Sequence, residues 1–230
     1  MTAHIGIVGC SAEGAALCYR TICQEGAQLL GRHDHPEISL HISPLKKYMP
    51  DIDSGNWQGI ADLMLDSAAK LSQMGADFLI CPDNTIHEAF SMVRDKSPLP
   101  WLHIAEVVAA AAKLENRKCL GILGTKYLMD GPVYRETLTP LGIECLTPPT
   151  ETREKINEVI FDELVHAQFT GSALELFQKA IESLEKAGCD AVVLGCTEIP
   201  LLVTPGTSSL PTLDSTRLLA RAALRKAIKN

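Results

Sequence analysis

Two side chains capable of proton transfer stand at points where a strand should give way to a helix. Cys196 follows the apolar run 191–195, and Asp83 follows the run 78–82. Backbone N–H groups and the positive end of a following helix lower the pKa of a thiol from its reference of about 8.5. Cys196 is therefore predicted to act as an acid or base. Two alternatives stay open, namely Cys196 as a buried structural cysteine and Asp83 as a helix N-cap, a position that Asp favours.

These two residues hold the same position in an internal repeat. The segment 75–85 aligns without a gap on the segment 188–198, which places Asp83 opposite Cys196. Two shorter pairs of segments match in the same order along the chain: 5–9 with 120–124, and 99–102 with 210–213. If the two halves fold alike and face each other across a pseudo-dyad, Asp83 and Cys196 flank one bound molecule. Two proton-transfer groups on opposite sides of a molecule are the geometry of a racemase.

We call the strand-to-helix junctions at Asp83 and Cys196 the two corners. Hydroxyl and amide side chains beside these corners are candidates for binding a carboxylate. Asn84 and Thr85 follow Asp83 directly, where hydrogen-bond donors and a helix start favour an anion. Ser11 and Thr125 occupy the equivalent loops after the first strand of each half, and we expect both to donate hydrogen bonds. The predicted ligand is therefore a small carboxylic acid or amino acid.

Other polar residues give weaker signals. His87 either faces the cleft or lies as a polar residue on a helix flank, and Lys46 or Lys47 could pair with a second substrate carboxylate. The histidines within 33–41 have no matching ligand group elsewhere, so no metal site is predicted. The glycines of the first loop do not form the Gly-x-Gly-x-x-Gly motif of a dinucleotide site.

The elements that must position these residues alternate between short apolar runs and longer segments of helical period, which is typical of βα units. The predicted fold class is α/β, with two similar lobes that are each a parallel sheet flanked by helices and with the active site between them. The predicted strands lie near 4–9, 38–43, 77–81, 101–103, 118–123, 143–146, 190–195 and 211–213. The predicted helices lie near 12–30, 55–74, 84–94, 105–115, 129–140, 150–166, 171–187, 198–203 and 215–228. We expect residues 1–105 and the C-terminal helix 214–230 to form the first lobe, and residues 115–210 the second.

Composition limits the classes of function. The chain of 230 residues carries a formal net charge of −7, and its Lys and Arg are scattered, which argues against nucleic acid and anionic membranes as partners. No run approaches the roughly 20 apolar residues of a membrane-spanning helix. The N-terminus enters an apolar strand without a basic leader, which predicts a cytoplasmic protein. The eight cysteines show no Cys-x-x-Cys spacing and are expected to be reduced.

These motifs resemble the aspartate/glutamate racemase superfamily, which also includes hydantoin racemases, maleate isomerases and arylmalonate decarboxylases. The segment 195–199, Gly-Cys-Thr-Glu-Ile, matches the second signature of that family, and the segment 83–87, Asp-Asn-Thr-Ile-His, stands where the first signature is usually Cys-Asn-Thr-x-His. The resemblance implies proton transfer without pyridoxal phosphate or a metal, and a homodimer. The positions that hold substrate in the family correspond here to Asn84, Thr85, Thr125 and Thr197.

The replacement of the first catalytic cysteine by Asp83 leaves the reaction open. Reference pKa values of about 3.9 for Asp and about 8.5 for Cys make an ordinary carboxylate a far weaker base than a thiolate. Desolvation could narrow this gap and permit racemisation of aspartate or glutamate between Asp83 and Cys196. Alternatively, Cys196 works alone in a decarboxylase, lyase or isomerase of carboxylic acids. A third hypothesis is a catalytically weak protein that binds an acidic metabolite. The first is favoured.

Overall fold

A computed structural model of the protein describes residues 2–229 and divides into two compact units. Residues 2–107 and 216–229 form the first unit, and residues 108–215 form the second. Within the described residues, no helix has the length and apolarity required to cross a membrane. No disulfide joins any of the eight cysteines.

Each unit is built on one parallel sheet of four strands. The strands are β1 (Ile5–Gly9), β2 (Ile38–Ile42), β3 (Phe78–Ile80), β4 (Trp101–Leu102), β5 (Cys119–Leu123), β6 (Glu144–Leu146), β7 (Ala191–Leu194) and β8 (Thr212–Asp214). The strand order is β2-β1-β3-β4 in the first sheet and β6-β5-β7-β8 in the second. All pairings are parallel. The two halves of the repeat thus have the same topology.

Helices cover the sheets. They are α1 (Ala12–Leu30), α2 (Met49–Ser54), α3 (Trp57–Gln73), α4 (Phe90–Arg94), α5 (Ile104–Leu114), α6 (Lys126–Asp130), α7 (Val133–Leu138), α8 (Thr150–Asp162), α9 (Gly171–Lys186), α10 (Ile199–Leu202) and α11 (Ser215–Lys229). Short 3-10 turns occupy Leu45–Lys47, Thr85–Ala89, Thr139–Leu141 and Leu164–His166. The α/β class with a helix-flanked parallel sheet in each half is confirmed.

Alternating residues of the central strands face different helices. In the first unit Ile5 and Ile7 of β1 pack in a buried cluster with residues of α1 and α11. The opposite face carries Gly6, where an added Cβ would lie 3.4 Å from the Leu71 Cβ of α3. The equivalent Gly121 of β5 leaves room for Leu184 of α9, whose Cδ1 would meet an added Cβ at 2.7 Å. Both repeats therefore use one glycine to let a helix approach the sheet closely.

Several predicted helices are shorter or broken. The segment 129–140 divides into α6 and α7 around Gly131-Pro132, because proline lacks the N–H that a continuing helix needs. The segment 84–94 begins as the 3-10 turn Thr85–Ala89 before it becomes α4. The helix expected directly after Cys196 is only the four-residue α10. Its contribution to the field at the thiol is correspondingly small, since a helix dipole grows with the number of aligned peptides.

Candidate active site

The Asp83 corner lies at the carboxyl end of β3. Cys81 is fully buried, Pro82 is buried, and Asp83 is half-buried after them. The Asp83 Oδ1 accepts a hydrogen bond from the backbone N–H of Ile86 at 3.2 Å. The N-cap position of the 3-10 turn that follows belongs to Asn84, one residue later. The bond to Ile86 orients the Asp83 carboxylate and is compatible with proton transfer.

His87 connects the Asp83 corner to the start of α5. Its Nδ1 lies 2.6 Å from the backbone oxygen of Asp83, and its Nε2 lies 3.4 Å from the backbone nitrogen of Ile104. Nδ1 must donate and Nε2 must accept, so the ring is neutral. Burial first, and then the neighbouring His103, holds the pKa of His87 well below its usual range. Only 3% of His87 is exposed. His87 therefore ties the Asp83 loop to the start of α5.

Polar groups predicted to bind substrate surround this corner within the first unit. Asn84 and Thr85 are buried, and Ser11, at the carboxyl end of β1, caps α1 by accepting the N–H of Gly14 at 3.3 Å. Since β1 and β3 are adjacent, Ser11 and Asp83 flank the point where the strand order reverses. Ligands of open α/β sheets bind outside the strand ends at such a switch point.

Tyr48 is a neighbour of this corner that the sequence did not reveal. It lies at the start of α2 and is fully buried. Burial raises the pKa of Tyr48 far above its usual range, and the charges of Cys10, Cys81 and Asp83 add to the effect. The phenol is therefore neutral and presents a polar group among the residues that follow β1 and β3. Its distance in sequence from Asp83 explains why no local motif pointed to it.

The Cys196 corner lies at the carboxyl end of β7. Cys196 is half-buried, and its Sγ donates to the Glu198 Oε2 at 3.0 Å. The Thr197 hydroxyl donates to the same oxygen at 2.6 Å. Thr197 and Glu198 are 4% and 3% exposed. A buried carboxylate therefore lies against the candidate catalytic thiol. Glu198 belongs to the motif that marked this corner, but only the side-chain geometry shows that it turns towards Cys196.

The loop that carries Thr125 packs against the loop that carries Cys196 at two glycines, Gly124 and Gly195. Thr125 caps α6 by accepting the N–H of Leu128 at 3.3 Å. A Cβ added to Gly124 would lie 3.2 Å from the backbone oxygen of Gly195, so the loop after β5 packs directly on the loop after β7. The Gly195 N–H also donates to the Leu123 oxygen at 2.7 Å. The second unit therefore brings the Thr125 and Cys196 loops together at its own switch point.

The weaker candidates lie elsewhere in the first unit. Lys46 and Lys47 are exposed on a 3-10 turn. His33 and His35 are exposed, whereas the Nδ1 of the half-buried His41 lies 2.9 Å from the Ser67 hydroxyl. Within residues 2–229, no three His, Cys, Asp or Glu side chains are grouped so that they could hold a metal ion.

Comparison with known proteins gives consistent matches along the chain. The model of the Asp/Glu/Hydantoin racemase family matches residues 5–223. Similar solved structures include a protein from Yersinia pestis provisionally named an Asp/Glu racemase, with 32% identity, a TM-score of 0.89 and coverage of 98% of this chain and 99% of that one. An aspartate racemase homologue from Pyrococcus horikoshii shares 26% identity over 99% of this chain and 100% of that one, with a TM-score of 0.85.

A curated relative extends the same result. The broad specificity amino-acid racemase RacX of Bacillus subtilis is 24% identical over 194 residues, which are 83% of this chain and 82% of RacX. The family match spans both units and includes both corners. The chain therefore belongs to the Asp/Glu/Hydantoin racemase family and is an isomerase of the racemase type.

Proposed function

We propose that the protein racemises an acidic amino acid, aspartate or glutamate, without a cofactor, and that Asp83 and Cys196 exchange protons with its α-carbon. The observation that carries the proposal is the equivalence of the two corners. Each residue follows the strand next to the central switch point of a sheet with the same strand order. Because the repeat pairs these two positions, we assign both residues to one substrate.

The two groups would divide the work by their chemistry. The Asp83 carboxylate accepts the α-proton on one face of the substrate, and the Cys196 thiol donates a proton to the other face. The reverse reaction exchanges these roles. Hydrogen-bond donors must hold the substrate carboxylates, because neutralising their charge makes the α-proton more acidic. The residues proposed for this task are Ser11, Asn84, Thr85 and Thr125, together with Thr197 once its hydroxyl turns from Glu198 to the substrate.

The preference for an acidic side chain is supported by the relatives. The family model names Asp and Glu, and the Pyrococcus horikoshii protein is described as an aspartate racemase homologue. RacX is named for broad specificity. A substrate panel should therefore include both enantiomers of aspartate and glutamate together with neutral amino acids, and aspartate or glutamate should give the highest kcat/KM.

The test is chiral chromatography of each amino acid after incubation with the purified protein. Cys196→Ser replaces the thiol by a far less acidic hydroxyl, so racemisation should fall by at least about 100-fold, the usual size of an acid/base contribution. Cys23→Ser is the matched control, because Cys23 is another half-buried cysteine, located on α1. It should retain normal activity. Absence of racemisation on the whole panel, with the protein folded, would refute the proposal.

A second candidate keeps one working acid/base. Asp83 already accepts a hydrogen bond from the Ile86 N–H, and if that is its whole role, Cys196 serves one face of the substrate alone. The protein would then be a single-cysteine decarboxylase, lyase or isomerase of small carboxylic acids. Asp83→Asn distinguishes the two functions, because the Asn side-chain oxygen can still accept the Ile86 N–H but cannot accept the α-proton. Unchanged turnover in this variant would favour the single-cysteine enzyme.

A homodimer is the proposed assembly. Symmetric dimers are the commonest state of soluble oligomers, and the isologous interface would use the same surface of both copies. Light scattering coupled to size-exclusion chromatography should give about twice the chain mass of 24.9 kDa. A mass equal to that of one chain across the concentration range of the assay would contradict the proposed assembly.

A further inference from the structure

Glu198 contacts Cys196 but has no role in the proposed reaction. Its Oε2 lies 3.0 Å from the Cys196 Sγ and 2.6 Å from the Thr197 Oγ1. Both contacts end on the same oxygen, with the thiol and the hydroxyl as donors and the carboxylate oxygen as acceptor. With 3% of Glu198 exposed, water has little access to weaken this interaction.

The position of Glu198 favours one protonation state of Cys196. A thiol donates a hydrogen bond to the carboxylate, whereas a thiolate would place a second negative charge 3.0 Å away from it. Even with the full screening of bulk water, Coulomb repulsion at that distance amounts to about one pKa unit, and the lower dielectric of a buried site increases it. Glu198 therefore opposes loss of the thiol proton.

Three other titratable groups lie on neighbouring elements of this unit. Tyr134 of α7 lies 3.8 Å from an added Gly195 Cβ, and its burial raises its pKa so far that the phenol stays neutral. Asp214 of β8 is the register partner of Leu194 and brings no positive charge that would stabilise a thiolate. Lys126 follows the packed Gly124-Thr125 loop, but its ammonium lies over its neighbour's ring at 5.1 Å.

We propose that Glu198 is a positioning residue that keeps Cys196 protonated between turnovers, so that the resting protein holds Cys196 as the proton donor and Asp83 as the acceptor. The role of Asp83 rests on the proposed function, whereas the effect of Glu198 on Cys196 does not. In the donor step the S–H bond breaks and its proton moves to the α-carbon. This leaves a thiolate beside Glu198 and the former α-proton on Asp83. Asp83 releases its proton to water and the thiolate takes one from water, so the resting state returns with no net change in protons.

This arrangement makes the two directions of racemisation unequal in kcat. The enantiomer whose α-proton faces Asp83 meets the resting protein in the correct state, whereas the other enantiomer first needs a Cys196 thiolate. Because the equilibrium constant of a racemisation is one, kcat/KM must be the same for both enantiomers, and the difference must appear as matching changes in kcat and KM. Glu198→Gln should bring the two kcat values closer together.

The decisive experiment measures Cys196 directly and needs no substrate. The rate of alkylation by iodoacetamide follows the thiolate fraction and can be measured by mass spectrometry from pH 6 to 10. Fragment spectra separate Cys196 from Cys189, which lies in the same tryptic peptide after Lys186. The wild-type midpoint should lie above the reference of about 8.5, and Glu198→Gln should move it down by about one pH unit or more.

Two further variants separate charge from structure. Glu198→Asp retains the carboxylate, so its midpoint should stay nearer to that of the wild type. Glu182→Gln removes an exposed carboxylate of α9 and should leave the profile unchanged. An alkylation midpoint in Glu198→Gln that equals or exceeds that of the wild type would overturn the inference. A higher midpoint would mean that Glu198 promotes ionisation of Cys196. If Glu198→Gln does not fold, a wild-type midpoint at or below the reference overturns it and a midpoint above it supports it. If the alkylation midpoint falls as expected in Glu198→Gln but the wild type racemises none of the amino acids tested, only the proposed function is refuted.

Discussion

Acidification should destabilise the first unit through His103, and His103→Asn should remove that contribution. His103 directly precedes α5, and its Nδ1 accepts the backbone N–H of Glu106 at 3.4 Å. Its ring meets those of Phe90 and His87 edge-on, with centroids 4.7 Å and 4.6 Å away. A proton on Nδ1 would remove the acceptor and place a cation at a helix N-terminus, where cations are unfavourable.

The magnitude follows from the pKa of His103. Burial is the main cause that lowers this pKa from 6.5 to about 4; the Glu106 carboxylate partly opposes it, and Arg94 adds a smaller lowering. The unfolded chain therefore binds a proton below about pH 6.5 that the folded protein accepts only near pH 4. Stability is fully present above that window and decreases as the pH falls through it. Each such histidine costs up to about 1.4 kcal/mol per pH unit, so His103 accounts for up to about 3 kcal/mol in total.

Urea unfolding followed by tryptophan fluorescence measures this loss. Both tryptophans, Trp57 and Trp101, belong to the first unit, so the signal reports on the correct part of the protein. The wild type should lose stability steeply between pH 6.5 and pH 4. His103→Asn keeps a good N-cap acceptor and does not titrate, so its slope should be smaller by up to about 1.4 kcal/mol per pH unit. Equal slopes in the two proteins would refute this account of the His103 environment.

Two further predictions concern the second unit. Gly195→Ala should abolish most racemase activity, because the added Cβ would meet the Leu123 oxygen at 2.9 Å and displace the adjacent thiol. Gly206→Ala is the control, since its added Cβ would lie 3.9 Å from the nearest atom. Full activity of Gly195→Ala in the chiral assay would contradict the predicted displacement of the thiol. Phe177→Ala removes a fully buried core ring and should cost about 3–5 kcal/mol by urea unfolding followed by circular dichroism. Phe169→Ala, at 42% exposed, should change little, and a similar loss in both would contradict the assigned core.

The sheets and their order of elements were predictable because parallel strands read as short, continuous apolar runs. The repeat made the prediction stronger, since 75–85 and 188–198 both lead from a helix end through β3 or β7 to a polar corner. The break between α6 and α7 was missed because the helical period continues across Gly131-Pro132. The six-residue α2 was missed as well. This helix has Pro50 in its first turn and ends at Gly55, whose φ is 69°. Six residues are too few for a helical period to appear in the sequence.

The site was predictable in outline for the same reason. The backbone alone places a residue that follows a central parallel strand at the carboxyl end of its sheet, where ligands bind. The sequence therefore identified Asp83 and Cys196 as candidates, whereas the contacts made by Glu198, His87 and Tyr48 depend on rotamers and long-range packing. No local pattern states that Glu198 turns back to Cys196 or that both nitrogens of His87 are occupied.

The central claim is that Asp83 and Cys196 serve opposite faces of one α-carbon, and proton NMR in D₂O tests it most directly. L- and D-aspartate are incubated separately with the wild type, Asp83→Asn and Cys196→Ser, and loss of the α-proton signal is compared with chiral analysis. The account predicts that the wild type inverts the substrate and places deuterium in the product, and that each variant loses inversion. Inversion at an undiminished rate in Asp83→Asn, or α-proton exchange that proceeds only with retention in the wild type, would contradict it.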